Sequence, residues 1–292
     1  MSGKPPGQIW QEGLDEGERR LKRGNVGLMA TGLVGGFDVA VGLLAFMVTK
    51  GTLETMVTPE IAKTIGSVAF GIGFVFIAIG RSELFTENFL VPVAAVMAQR
   101  GTRYQLVWMW FVTMVFNFIG LALVSVLLIP DETLIKESLE AAGEIANRFA
   151  ERDVVAAFTS AILAGAVMTL FTWLLAATTS DGAKVIIALL VGFLLAAPAL
   201  NHAVVGFGEI VFGMVAGTAN SDVNASLLVT NTLIAIVGNL VGGLGWVTLT
   251  RLFQVSGEVG SGPDRGEGDM GESDAKGQAD TAADEPLSGR WG

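Results

Sequence analysis

The 292-residue sequence contains no cysteine and only one histidine, His202. The absence of cysteine excludes disulfides, thiol catalysis and thiolate metal sites, and a single histidine excludes a multi-histidine metal centre. No nucleophile lies beside a base in any recognisable pattern, so we expect no cofactor and no enzymatic activity. Basic residues are also scarce, with 18 Lys and Arg against 28 Asp and Glu. The resulting net charge of -10 argues against a nucleic-acid partner.

Apolar residues, in contrast, are abundant and occur in long runs. They make up 51% of the chain, and the mean hydropathy is +0.59. Such a composition is typical of an integral membrane protein rather than of a soluble domain. The 38 glycines agree with this class, because small residues let membrane helices approach closely. The sequence therefore predicts an all-α protein whose first partner is the lipid bilayer.

The apolar runs predict six transmembrane spans, at residues 26–49, 61–98, 104–129, 154–179, 185–216 and 226–253. The transmembrane domain thus covers residues 26–255. Residues 1–25 carry a charged helix at the membrane surface, either solvated or docked over the domain as a gate. An acidic amphipathic segment at 131–153 predicts a helix outside the membrane. Residues 256–292 are rich in Gly, Asp, Glu and Ala, a composition that predicts a disordered acidic tail.

The distribution of basic residues predicts the orientation of the chain. With six spans, four basic segments lie on the same side of the membrane: Arg19, Arg20, Lys22 and Arg23; Arg100 and Arg103; Lys184; and Arg251. The opposite side carries Asp131, Glu132, Glu137, Glu140 and Glu144. Because basic residues concentrate in cytoplasmic loops, we expect a multi-pass protein of the inner or plasma membrane with both termini in the cytoplasm.

Polar residues interrupt two of the six spans, the second at residues 80–88 (GRSELFTEN) and the fifth at 198–202 (PALNH). The free backbone groups of such breaks cannot face lipid, so they must face protein or a watered cavity. Each half of the chain holds three spans, an odd number, so the halves have opposite orientations. This inverted repeat with broken middle helices is typical of transporters and channels. The second half-helices, beginning near residues 87–88 and near Ala203, would present free N–H groups to an anion near the midplane.

Two side chains at the breaks are candidates for the chemistry. An ionisable residue such as His202 inside a membrane span usually marks a pathway, and imidazole exchanges protons near neutral pH. The alternative is a buried neutral histidine that only bonds a loop. Thr86 is either the N-cap of a half-helix or a hydroxyl that replaces water on a passing ion, and the two roles are compatible.

The charged residues near the breaks allow more than one interpretation. Arg81 and Glu83 are expected to pair with each other or with nearby loop groups, with Glu87 beside them. Glu209 follows His202 by two helical turns on the same face. A carboxylate there discourages an anion unless it is protonated or turned away.

Further polar candidates lie in the unbroken spans, at Asp38, Asn117 and Asn239. The glycines of residues 238–243 (GNLVGG) predict close helix packing, so Asn239 either packs against a neighbouring helix or lines the pore. Phe70, Leu84 and Phe85 are apolar residues near the first break. Such residues usually face lipid or core, although a few form constrictions that exclude hydrated ions.

These segments together resemble the formate/nitrite transporter family. Residues 80–88 are similar to the family's Ω loop, whose core is an acidic residue followed by Leu, Phe and Thr. Asn201 and His202 fall where the family has its central pore histidine, and residues 238–243 are similar to its sixth-helix motif. The resemblance covers residues 26–253 and is greatest to the YfdC-like branch of the family.

The resemblance implies an aquaporin-like homopentamer with one pore in each six-helix protomer. The family passes small monovalent anions of weak acids, such as formate, nitrite, hydrosulfide and lactate. Leu84 and Phe85 would then form the cytoplasmic constriction and Phe70 the periplasmic one. Thr86 and His202 would flank a central chamber, with His202 as the proton partner of the anion. The expected pathway residues are His202, Thr86, Asn201, Leu84, Phe85, Phe70, Glu83 and Asn239.

Two departures from the family pattern leave the cargo open. Asn201 stands where the family often has Glu, and Asp153, next to Arg152, stands about where a basic residue usually opens the fourth helix. Asn201 and Glu209 motivate an alternative, a pore for a neutral or cationic solute such as water, ammonia or ammonium. A regulatory membrane protein that transports nothing is the other alternative.

Overall fold

The computed structural model describes residues 3–127 and 133–259, and within these ranges the regular structure is helical. The helices are α1 (Pro6–Leu21), α2 (Asn25–Glu54), α3 (Pro59–Gly80), α4 (Val91–Met97), α5 (Arg103–Val126), α6 (Lys136–Glu151), α7 (Val154–Ala177), α8 (Asp181–Ala196), α9 (Ala203–Ala216), α10 (Ala225–Leu240) and α11 (Leu249–Val259). A 3₁₀ helix, Phe85–Phe89, precedes α4, and a π-helical segment, Val241–Thr248, joins α10 to α11. The predicted tail beyond residue 259 and the acidic residues Asp131 and Glu132 lie outside the described ranges.

Among the described residues, five helical segments are long and apolar enough to cross a membrane: α2, α3, α5, α7 and the continuous segment from α10 into α11. The remaining span is divided between α8 and α9, with 16 and 14 residues. At 1.5 Å per residue, these two helices are about 24 and 21 Å long, so each is shorter than the hydrocarbon core. The observed spans agree with the predicted ones within a few residues.

The spans form two inverted three-helix repeats. In the first repeat α2 packs against α3 and α5, and in the second α7 packs against α8 and α10. Both breaks contain a residue in the left-handed backbone region, Arg81 with φ 58° and Ala199 with φ 56°. Helices α3 and α8 meet across the repeats, where a Cβ on Gly192 would lie 2.5 Å from the Gly71 Cα. The two backbones approach so closely because neither position carries a side chain.

The two breaks differ in detail. The chain leaves α8 at Ala196 and enters α9 at Ala203, as the sequence predicted. In the first repeat the half-helix expected near residues 87–88 begins as the 3₁₀ helix and becomes α-helical only at Val91. Pro92 explains this start, because proline suits the first turn of an α-helix but not its interior.

Helix α1 is docked against the transmembrane domain and is not a solvated surface helix. It packs against α4, α7 and α11 and buries Ile9 and Leu14. Gly17 lies against α4, where a Cβ would come within 2.0 Å of the Val91 carbonyl oxygen. Only glycine therefore permits this approach.

Helix α6 packs against α2 and α9, and it lies between α5 and α7 in the chain. It is amphipathic, as predicted, and buries Ala141, Ile145 and Phe149. The chain enters α5 near α1 and leaves it toward α6, so we name the two ends of the domain the α1 face and the α6 face.

Candidate transport pathway

The two breaks meet through their candidate side chains. The Thr86 Oγ1 lies 2.6 Å from the His202 Nε2, and both residues are fully buried. Thr86 belongs to the 3₁₀ helix and His202 is the N-cap of α9. The N-cap of this 3₁₀ helix is therefore Leu84 and not Thr86.

The second ring nitrogen of His202 determines the tautomer. The Val205 backbone N–H donates to the His202 Nδ1 over 3.1 Å, which fixes Nδ1 as an unprotonated acceptor. A neutral imidazole then carries its hydrogen on Nε2, which donates to the Thr86 Oγ1. The Thr86 hydroxyl hydrogen is consequently available to another acceptor.

Two asparagines hold the breaks in the same way, one in each repeat. The Asn239 Oδ1 accepts from the Ala203 N–H (2.9 Å), and its Nδ2 donates to the Ala161 and Asn201 carbonyls (2.8 and 3.1 Å). The Asn117 Oδ1 accepts from the Phe85 N–H (2.9 Å). We call Asn117 and Asn239 the anchor asparagines. Each also packs deep within the protein and is fully buried.

The Asn117 Nδ2 completes the parallel, since it donates to the Gly32 and Glu83 carbonyls over 2.7 and 3.0 Å. Glu83 and Phe85 thus correspond to Asn201 and Ala203 in the second repeat. The anchors and the histidine already occupy the N–H groups of Phe85, Ala203 and Val205. The expectation that the half-helices offer these N–H groups to an anion is therefore wrong for these three.

Asn201 is paired with another amide rather than with a charge. Its side chain exchanges two hydrogen bonds with Asn231 of α10, over 2.9 and 3.1 Å. Both side chains are buried. Asn201, the residue before His202, is thus uncharged, and its side-chain amide forms its hydrogen bonds within the protein.

Glu83 does not pair with Arg81, so that one of its two expected pairings was wrong. Its carboxylate lies 2.7 Å from the Arg23 guanidinium and 3.4 Å from that of Arg20. The Arg20 Nη1 also donates to the Asn88 Oδ1 over 3.0 Å. Arg81 instead ends α3 with an exposed side chain. The arginines of the N-terminal segment therefore bind directly to the first break.

The other polar residues near the first break are also bonded within the protein. The Glu87 carboxylate accepts from the Leu84 N–H over 2.8 Å. The Ser82 hydroxyl donates to Asp38 over 2.5 Å. Among the residues that the structure describes, no three His, Asp or Glu side chains come together as metal ligands.

The three apolar candidates occupy two different places. Leu84 and Phe70 belong to the same buried cluster, which also contains Val204, two residues after His202. Phe85 instead packs edge-on against Phe89 and Trp110, with ring centroids 4.9 and 6.3 Å away. Leu84 and Phe70 thus share a buried apolar cluster, whereas Phe85 joins an aromatic group with α5.

A cavity opens at each face of the domain. At the α1 face, a cavity of about 480 Å³ is lined by Arg20, Glu83, Glu87 and Thr172 among others. At the α6 face, a cavity of about 270 Å³ is lined by Lys50, Lys63, Glu144 and Arg148 among others. Neither lining includes Thr86 or His202. Buried side chains therefore separate both cavities from the Thr86–His202 pair.

Residues 7–253 match the profile of the family described as formate/nitrite transporter. The chain belongs to the formate/nitrite transporter family. It is accordingly a membrane protein of a family of transporters. The inverted repeat with its two broken helices is the aquaporin-like architecture that the resemblance implied.

Two relatives match most of the chain. The chain is 25% identical over 248 residues to the inner membrane protein YfdC of Escherichia coli (strain K12), covering 84% of this chain and 77% of that one. It is 26% identical over 215 residues to a probable formate transporter of Methanothermobacter thermautotrophicus, covering 73% and 75% of the two chains. The first of these agrees with the predicted branch.

Solved structures share the fold. A chain described as an FNT family ion channel superposes with a TM-score of 0.73 at 18% identity, over 84% of this chain and 98% of the other. A pentameric formate channel with formate bound gives a TM-score of 0.66 at 18% identity, over 78% and 96%.

Sequence reasoning missed three residues that support the breaks, namely Arg20, Arg23 and Asn231. The two arginines entered the argument only as topology signals. Arg20 lies in the last turn of α1 and Arg23 follows the end of that helix, so no helical spacing relates them. Asn231 is one polar residue in an apolar span, and polar residues there commonly bond to a neighbouring helix.

Proposed function

We propose that the protein is a channel or transporter for small monovalent anions of weak acids, in the class of formate and nitrite. The observation that carries this proposal is the contact between Thr86 and His202. Because the imidazole Nε2–H already donates to the Thr86 oxygen, the hydroxyl hydrogen is free to donate to an anion. A hydrogen bond to a charged acceptor contributes about 1.5–3 kcal/mol, more than one to a neutral solute.

The pathway in this proposal runs between the two cavities through the point where the breaks meet. Leu84 and Phe70 form apolar barriers that a hydrated ion does not cross. Thr86 donates to the anion between the barriers, and the anchor asparagines hold both breaks in position. Asn201 and Glu83 support the same loops rather than touching the anion.

Proton coupling through His202 is the finer part of this proposal. A second proton enters the ring only at Nδ1, which now accepts from the Val205 N–H. We infer that His202 becomes charged only when Val205 releases Nδ1, so coupling requires the first turn of α9 to loosen. An anion in the pathway offsets this cost, because its negative charge compensates the positive charge of the protonated ring.

We also propose a homopentamer with the α1 face in the cytoplasm. The shared fold with a pentameric formate channel supports the assembly. Basic residues around the α1 face support the orientation: Lys4, Arg19, Arg20, Arg81 and Lys184 line its cavity. Both termini would then be cytoplasmic, with α1 covering the inner mouth of the pore.

A pore for ammonium or a neutral solute is the second candidate. Its support is the Glu87 carboxylate, which is adjacent to Thr86 and lines the cavity at the α1 face. A carboxylate there attracts a cation rather than an anion. The docked α1 would equally suit a regulatory protein that transports nothing.

Uptake into proteoliposomes separates these functions. Formate, nitrite, hydrosulfide, acetate, chloride and ammonium would be compared with and without a pH jump, for wild type and His202→Asn. Asparagine is a good N-cap, so this variant preserves the start of α9 while removing the titrating ring. We expect weak-acid anions to enter wild-type vesicles and proton stoichiometry to be lost in the variant. Flux of ammonium or neutral solutes without anion flux would contradict the proposal and support the second candidate, and no flux at all would support the regulatory one.

A further inference from the structure

Glu87 is a buried carboxyl at the first break that forms no ion pair with the part of the chain that the structure describes. It is 4% exposed. The Leu84 N–H donates to its Oε2 over 2.8 Å, and no described residue bonds to its Oε1. Glu83 in the same loop differs, because guanidiniums of Arg23 and Arg20 lie 2.7 and 3.4 Å from it. A buried carboxyl without a cation is most stable when it carries a proton.

Arg20 is the cation whose charge acts on Glu87, and its guanidinium is shared with other groups. The Arg20 Nε lies 2.8 Å from the Glu16 Oε1 and 3.4 Å from the Glu83 Oε1. Its Nη1 donates to the Asn88 Oδ1 over 3.0 Å. Arg20 therefore offers Glu87 less than a full countercharge.

Within the described ranges, no other element packed against the 3₁₀ helix supplies a countercharge. Helices α4, α7 and α10 and the π-helical segment contain no charged residue, and the one in α5 is Arg103, at its first position. Asp38 of α2 adds a negative charge. The other basic residues that line the cavity at the α1 face are exposed or lie in ion pairs, namely Arg81, Lys4, Arg19 and Lys184.

The Glu87 side chain lies between the cavity at the α1 face and the centre of the pathway. It lines that cavity, whereas the preceding residue, Thr86, contacts His202. A 3₁₀ helix has three residues per turn, so consecutive side chains point in directions about 120° apart. Thr86 can therefore face the second break while Glu87 faces the cavity. The bond from the Leu84 N–H places the carboxyl beside the apolar barrier assigned to Leu84.

We propose that Glu87 exchanges protons with the transported anion at the α1 end of the pathway. The carboxyl takes a proton from water in the cavity. An anion that enters from this cavity receives that proton and passes Leu84 as the neutral acid, which an apolar constriction admits more easily than a hydrated ion. The carboxylate left behind takes another proton from the cavity, so one proton moves with each anion. Movement in the opposite direction reverses these steps.

The exchange at Glu87 rests on the proposed anion transport and adds a second proton-exchanging group to it. Glu87 is the α1 end of the proton path and His202 is its buried end, where the acid can give the proton up. Loss of either group breaks the path. A protonated Glu87 carries no negative charge, so a carboxyl adjacent to Thr86 does not exclude anions. An ionised Glu87 would instead attract a cation.

A Glu87→Gln variant tests the exchange. Glutamine keeps the size of the side chain and an oxygen that accepts from the Leu84 N–H, but it neither takes up nor releases a proton. Formate uptake into proteoliposomes and the pH of the lumen would be recorded together, after subtraction of the signals from protein-free vesicles. We expect one proton to enter with each formate in wild type and almost none in the variant.

Two further variants control for loss of charge and for a purely structural effect. Glu12→Gln is the matched control, because Glu12 lines the same cavity but is exposed and pairs with Lys4; it should keep the wild-type ratio of protons to anions. Glu87→Asp keeps a carboxyl on a shorter side chain, so it should keep that ratio at a lower total flux. Equal ratios in wild type and Glu87→Gln, or a ratio near zero in Glu87→Asp, would overturn the role of Glu87.

Infrared spectroscopy of the detergent-solubilised protein tests Glu87 without any flux. A protonated carboxyl has a carbonyl band that is distinct from the carboxylate bands and shifts in D₂O. At neutral pH we expect this band in the difference between wild type and Glu87→Gln. Its absence would overturn the role of Glu87, and together with ammonium flux it would support the cation pore. The band without anion flux would contradict the transport function and leave Glu87 as a proton-exchanging group.

Discussion

Replacing Arg23 with glutamine is expected to loosen α1 from the transmembrane domain. The Arg23 guanidinium contacts the Glu83 carboxylate at 2.7 Å, and the two side chains are 17% and 4% exposed. Removing one partner of a buried ion pair costs about 3–5 kcal/mol. Here the cost is lower, because Arg23 is partly solvated and Arg20 remains 3.4 Å from Glu83. We expect about 2 kcal/mol, which corresponds to roughly a 30-fold larger undocked fraction of α1.

Hydrogen exchange of the α1 backbone amides measures this docking directly. Protected amides exchange through local opening, so their rates should rise by about the same 30-fold factor in Arg23→Gln. Lys22→Gln is the control, because its side chain is 65% exposed and its ion pair is with Glu18 of the same helix. Such an exposed pair contributes at most about 1 kcal/mol. Equal exchange in the two variants would refute the argument that the contact with Glu83 holds α1 in place.

Three further predictions concern α1 and the anchors. Gly17→Ala should also raise α1 exchange, since its Cβ meets a backbone carbonyl at 2.0 Å, whereas Gly24→Ala, with no atom within 4 Å of the new Cβ, should not. Asn239→Ala leaves a buried N–H and two carbonyls without their partner, so unfolding in detergent should become easier by about 3 kcal/mol; an unchanged denaturation midpoint would contradict the anchor role. Burial opposes ionisation of Glu16, but the neighbouring Arg20 keeps its pKa below 4.5. Its ion pairs with Arg19 and Arg20 lie within α1 and so stabilise the helix itself. This stabilisation is present above pH 4.5 and is lost as the pH falls through the lower folded-state pKa, so α1 exchange due to Glu16 should rise only in acid and stay flat from about pH 5 to 8.

The spans and their breaks were predictable because they depend on the order of residues along the chain. Lengths of apolar runs fix where helices enter and leave a bilayer, and the polar residues at 80–88 and 198–202 fix where two of them stop. The start of α9 at Ala203 follows directly from the second break. The first half-helix was placed too early because the 3₁₀ helix has no distinctive residue pattern of its own.

The partners of side chains were harder to predict, since they depend on contacts between distant segments. Arg81 lies two residues before Glu83, so the partners expected for Glu83 were Arg81 or nearby groups of the same loop. In the structure Glu83 meets Arg23, which lies 60 residues earlier. Similarly, His202 and Thr86 were both identified as candidates, but their direct contact spans 116 residues and depends on how the two repeats pack.

The docking of α1 could not be decided from composition. Its charged residues are as compatible with exposure to solvent as with binding to the polar first break. Few apolar side chains mark its buried face, and glycine, which permits the close approach at Gly17, gives no hydrophobic signal.

Nitrite and formate uptake by Thr86→Val and Thr86→Ser variants in proteoliposomes tests the central claim most directly. Valine keeps the shape of threonine but offers no hydroxyl, whereas serine keeps the donor. If the Thr86 hydroxyl donates to the anion, anion flux in the valine variant should fall by about tenfold or more, as expected when a charged hydrogen bond is removed. The serine variant should retain most of the wild-type flux. Anion flux in the valine variant equal to that of wild type would contradict the account.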